Sequence, residues 1–71
     1  MTQQPTPPYK RYATLSVQIR DNFKPIVALQ GIDRLQRRVE NDDTVGLEDK
    51  IELYKLFDTQ RSLLRKQIKV D

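Results

Sequence analysis

The run Asn41 to Gly46, read NDDTVG, is the strongest turn cluster in a chain whose apolar residues otherwise keep helical spacing over long stretches. Asn, Asp and Thr side chains bond to nearby backbone in turns and at helix starts, and Gly stops helices without steric cost. On the N-terminal side, Ala28, Ile32, Leu35 and Val39 recur at i, i+4, i+7 and i+11 with Leu29 beside them, while Gln30, Arg34, Arg37 and Arg38 project elsewhere. On the C-terminal side no Gly or Pro interrupts Leu47 to Val70, which allows a helix of about six turns. Its broad core side holds Leu47, Ile51, Leu53, Tyr54, Phe57, Leu64 and Ile68. Glu48 and Asp49 open this helix and Arg65, Lys66 and Lys69 close it, which matches the helix dipole. Two helices joined by so short a turn pack antiparallel. The sequence therefore predicts a helix hairpin in which Ile32, Leu35 and Val39 meet Ile51, Tyr54 and Phe57.

Upstream, Pro25 cannot continue a helix, because it lacks an N–H and its ring meets the carbonyl four residues back, at Asp21. A break is expected between Asp21 and Lys24. The stripe Tyr12, Leu15, Ile19, Phe23 and Ile26 has helical spacing and is rotated by about 100° or more from the Ala28 to Val39 stripe, which again requires a break. Residues 12–20 also carry a second pattern: Ala13, Leu15, Val17 and Ile19 alternate with Thr14, Ser16, Gln18 and Arg20, as in a half-buried strand. Helical matches outnumber strand matches. A lone strand would moreover need a second copy to pair its backbone groups. The expected fold is thus all-α, a small bundle built on the hairpin with an additional N-terminal helix.

The strand alternative has a family attached to it. Leu15, Ser16, Val17, Gln18 and Ile19, followed by Arg20, Asp21, Asn22 and Phe23, resemble the alternating strand and first-helix start of ribbon-helix-helix proteins. The resemblance implies a β-α-α dimer that binds DNA, with Thr14, Ser16 and Gln18 reaching base edges in the major groove. The chain departs from that family in lacking its Gly-x-Ser turn and in the longer stretch from Phe23 to Thr44.

Size and composition bound what such helices can do. A chain of 71 residues, without Trp and with two Phe, has a modest core and buries only about 60% of its unfolded surface, so association with a second copy is a standing expectation. Residues 1–10 hold three of the four prolines and read as a disordered tail, with residues 11–71 as a single helical domain. Within the tail Pro5, Pro8 and Lys10 fit the loose PxxPxK pattern of extended proline ligands, although a solvated terminus is the simpler reading. No apolar run approaches the ~18 residues of a membrane span, so no membrane partner is expected. The absence of Cys suits a reducing cytoplasm, which is the expected location.

The same residues leave little for catalysis. Without His or Cys, the usual base near neutral pH and the strongest side-chain nucleophile are missing, and Ser62 stands beside Arg61 with no base at hand. Tyr9 and Tyr54 are better read as packing residues. Asp42 and Asp43, with Glu40, Glu48 and Asp49, match no register of a calcium loop and are better used in capping. Gly31 and Gly46 are the only glycines, too few for a phosphate-cradling loop. No catalytic residue, cofactor or metal is expected, and the chain reads as a non-enzymatic interaction module, an adaptor or inhibitor.

Two features suggest how it would bind. Leu56, Leu63 and Val70 form a seam spaced by seven, away from Leu47 and Ile51, and with Arg61, Lys66 and Lys69 beside them they are the candidate contact residues for a protein partner. The simpler use of the seam is to pack on the first helix. Charge is also segregated: residues 1–38 carry seven basic and two acidic side chains, residues 39–58 two and seven, and residues 59–71 four and one. A hairpin would then have an acidic turn end and a basic open end, suited to steering a charged partner. Nucleic acid is the alternative partner, though Arg34, Arg37 and Arg38 lack interleaved aromatic residues for stacking.

Overall fold

The computed structural model describes residues 7–68 and contains three helices, α1 (Pro8–Asn22), α2 (Pro25–Glu40) and α3 (Leu47–Gln67). Each packs against the other two. Short connections make neighbours antiparallel: the start of α1 lies at the α2–α3 loop, where Tyr12 meets Asp42, and its end lies beside the C-terminal half of α3, where Arg20 meets Gln60.

The boundaries follow from proline chemistry. The residue before a proline is pushed out of the helical region, and Lys24 is extended at φ −63° and ψ 151°, as is Phe23 at φ −126° and ψ 156°. Pro25 then sits at the first helical position, where a missing N–H costs nothing, and Ala28 N donates the first helical bond to Lys24 O at 2.8 Å. Pro7 and Pro8 start α1 in the same way. Helix α2 ends at Asn41, whose backbone N and side-chain Nδ2 both donate to Arg37 O, and Lys50 Nζ donates to the Glu40 carbonyl at 3.1 Å. Gly46 caps α3 with no side-chain bond, so the Asx and Thr residues of the loop do not cap the helix as their composition suggested.

The core consists of Ala28, Ile32, Leu35 and Val39 from α2, Val45 from the loop, and Leu53, Phe57 and Leu64 from α3, with Tyr9, Tyr12, Ala13, Leu15, Ile19, Leu29 and Tyr54 packed around them. Helix α2 buries the expected stripe in full. On α3 the buried register is Leu53, Phe57, Gln60 and Leu64. Leu47 and Ile51 were expected inside and are instead 74% and 45% exposed. Each lies about 120° round the helix from Leu53 and Phe57 respectively, outside the arc that α1 and α2 together cover. Phe57 and Tyr54 keep their expected place against α2.

Residues 12–20 are helical, and the described residues contain no strand. The β-α-α arrangement implied by the ribbon-helix-helix resemblance is therefore not the fold: Ser16, which that reading turned outward to bases, is completely buried, and its Oγ donates to the Ala13 carbonyl at 2.7 Å. A small side chain that satisfies its own hydroxyl lets α1 settle closely on the hairpin. Helix α1 also begins earlier than the tail boundary at residue 10, and a helix at Pro8 to Lys10 replaces the extended backbone that the PxxPxK reading needs there. Residues 1–6 of the proposed tail lie outside the described residues, as do Lys69, Val70 and Asp71. Among the described residues no helix is long and apolar enough to cross a membrane.

Candidate partner-binding surfaces

Of the six contact residues read from the sequence, Leu56, Leu63, Arg61 and Lys66 are described, and they do not share one surface. Leu56 is half-buried and lines a shallow groove with Ala13, Thr14, Val17 and Gln18 along the α1–α3 seam. Leu63, two turns on, is 38% exposed, and Lys66 is exposed. Arg61 faces elsewhere, about 140–160° round α3 from these leucines. Its guanidinium reaches Asp33 at 2.9 Å and Asp58 at 2.8 Å, and also meets the Gln36 amide, which ties α3 to α2. Its guanidinium is thus engaged within the bundle.

Helix α1 has one polar tie to α3 and one to the α2–α3 loop. Arg20 donates to Gln60 Oε1 at 2.8 Å, which satisfies the one amide side chain buried in the α1–α3 interface. Tyr12 donates to Asp42 Oδ2 at 2.6 Å, and Asp42 Oδ1 accepts from the Thr44 backbone N at 2.9 Å and from its hydroxyl at 2.5 Å. The carboxylate thereby folds the loop and pins α1 to it. These bonds, Thr44 hydroxyl first and Tyr12 second, hold the Asp42 carboxyl down at about 2, and the same bond to Asp42, helped by burial, raises the Tyr12 phenol above its ordinary value.

A depressed carboxyl stabilises the fold above the unfolded value near 3.8, and that contribution disappears as pH falls through about 2. Thermal melts between about pH 4 and pH 2 should accordingly fall more steeply for the native chain than for Asp42→Asn, which keeps an acceptor oxygen but no titrating charge. Parallel slopes would show that the clasp contributes nothing.

A second apolar surface lies between α1 and α2. Gly31 makes it: a Cβ there would stand 3.0 Å from Ile19 Cγ2, so the absence of a side chain lets Ile19 lie against the α2 backbone. Above this contact Ile19, Phe23 and Val27 form an apolar groove of about 320 Å³ with Gln30 and Arg34 at its edge. Phe23 and Ile26 were expected to continue the inner stripe of α1. The extended backbone forced by Pro25 breaks that register, leaving Phe23 54%, Ile26 62% and Val27 49% exposed around the turn.

Basic side chains border the same face. Arg38 and Arg11 line a second depression with Leu15 further along α1 and α2, and Arg37 stands beside Arg34 over another. None of Arg11, Lys24, Arg34, Arg37 and Arg38 pairs with a carboxylate among the described residues, where the ion pairs are Arg20–Asp21, Lys55–Glu52, Arg61–Asp33 and Arg61–Asp58. Acidic residues gather instead in the α2–α3 loop and the first turns of α3, where Asp42, Asp43, Glu48, Asp49 and Glu52 flank exposed Leu47 and Ile51 in sequence. The α1–α2 groove escaped the sequence reading, although a glycine inside the most regular amphipathic helix pointed to a close approach of backbone and side chain. Compared with known proteins, the chain matches no family model, no curated protein and no solved structure.

Proposed function

We propose that this chain is a non-enzymatic helical interaction module that holds an acidic, amphipathic helix of a protein in the groove between α1 and α2. The observation that carries this reading is the apolar groove itself, with half-buried Ile19 and exposed Phe23 and Val27 over Gly31 and Arg34, unpaired among the described residues, at the rim. Contiguous exposed apolar side chains rimmed by charge are characteristic of contact surfaces. A helix laid in such a groove presents apolar anchors at i, i+4 and i+7, and acidic residues beside them would answer the arginines. The lack of His and Cys, and the use of Ser16 and Tyr12 in ties within the bundle, support binding without chemistry.

The probe for this reading is a fluorescent synthetic helix of Leu and Glu with leucines at i, i+4 and i+7, compared with a Leu/Lys helix and a single-stranded oligonucleotide. The Leu/Glu helix should bind with a dissociation constant on the order of 10–100 μM, as suits a small interface. Val27→Asp should weaken that binding about tenfold or more, because it places charge in the apolar floor. Binding of the oligonucleotide alone, or of neither helix, would overturn the reading.

A further inference from the structure

Resting on that reading of the groove, we infer that the helix it takes is the N-terminal half of α3 in a second copy of the chain, so that molecules associate head to tail. A helical apolar pair of the kind the groove calls for is present elsewhere on the chain. Leu47 and Ile51 stand one turn apart on α3, exposed at 74% and 45%, with exposed Glu48 between them in sequence and about 60–100° round the helix. The apolar pair lies within the stretch 39–58, where acidic residues outnumber basic ones by seven to two, and it stands open to solvent among the described residues. The groove offers the complement: Phe23, Val27 and Ile19 for the two apolar side chains, with Arg34 at its edge and exposed Lys24 in the adjoining turn for carboxylates.

Position dictates the symmetry. The groove lies near the α1–α2 turn, between two helices that together form one side of the bundle, whereas Leu47 and Ile51 lie past the α2–α3 loop, at the other end of α2, and face away from the core. A molecule cannot place its own stripe in its own groove. A contact between two different patches is heterologous, and where its rotation does not close into a ring it extends into chains. The charge segregation has the same sense, since the acidic stretch 39–58 of one molecule meets basic residues from the stretch 1–38 of the next. Each joint is small and partly electrostatic, so association is weak and falls with salt.

Sedimentation velocity of the full chain from about 10 μM to about 1 mM tests this directly. Species larger than a dimer should appear with concentration at low salt and recede at about 0.5 M salt. Val27→Asp, which disables the groove, and Ile51→Asp, which disables the stripe, should each remain monomeric with native circular dichroism. An equimolar mixture of the two should form a one-to-one dimer and stop there, because only one intact groove and one intact stripe remain. Leu47→Asp replaces Ile51→Asp if the latter loses helicity. Assembly of either folded variant like the native chain would overturn the inference. So would a native chain that stays monomeric throughout; if the Leu/Glu helix still binds, the groove serves another protein, and if it does not, the interaction reading falls as well.

Discussion

Phe57→Ala is expected to lower the unfolding free energy by about 3–5 kcal/mol, a large share of the total. Phe57 is the largest of the fully buried side chains and sits in α3 where the helix faces the α2 stripe of Ile32, Leu35 and Val39. Removing its ring takes away apolar burial and leaves a cavity that three helices fixed by short loops cannot readily close. The scale of the loss matters because the total is small. At roughly 0.05–0.15 kcal/mol per residue, 71 residues have a stability of about 4–11 kcal/mol. Denaturant titration followed by circular dichroism measures it. A loss below about 1 kcal/mol would mean that Phe57 is not where the three helices meet.

The second large effect separates two adjacent leucines. Leu64 is completely buried and Leu63 is 38% exposed, so Leu64→Asp should unfold the bundle by placing an unpaired carboxylate in the core at a cost of several kcal/mol. Leu63→Asp should cost about 1 kcal/mol or less and keep the helical spectrum. The same substitution, one residue apart, therefore reports the rotation of α3 about its axis. Equal effects, or the reverse order, would place the seam of Leu56 and Leu63 inside the bundle and move Leu64 to its surface.

That rotation is what the sequence left open. Helix α2 has one apolar stripe, and its buried residues Ala28, Ile32, Leu35 and Val39 can be read directly from spacing. The α2–α3 loop and the break before Pro25 are equally legible, since they rest on local backbone chemistry that no packing can override. Helix α3 is different because its apolar residues run around most of its circumference. Leu47, Ile51, Leu56 and Leu63 compete with Leu53, Phe57 and Leu64 for the core, and the choice belongs to the two helices that cover it. The buried arc includes Gln60, a polar residue that enters only because Arg20 satisfies its amide oxygen.

Helix α1 was ambiguous for another reason. Its short β-friendly residues fit either period, and packing against both other helices selects the helical one. The candidate site was less legible than the fold. It depends on an absence, the missing side chain of Gly31, and on Phe23 being turned out by the proline two residues later. A periodicity argument registers apolar residues that are in phase, and the groove is made by residues that fall out of phase. Arg61 shows the converse: its charge suggested a partner's rim, whereas Asp33, Asp58 and Gln36 occupy it within the bundle.

The most direct test of the α1–α2 groove as the binding surface is residue-resolved amide chemical-shift mapping of the full chain with the unlabelled Leu/Glu helix. The expected result is a contiguous set of shifts at Ile19, Phe23, Val27, Gly31 and Arg34, with Ala13, Val17 and Leu56 on the other side of α1 unmoved. Shifts confined to Ala13, Val17 and Leu56, or no shifts at peptide concentrations of about 1 mM, would contradict it.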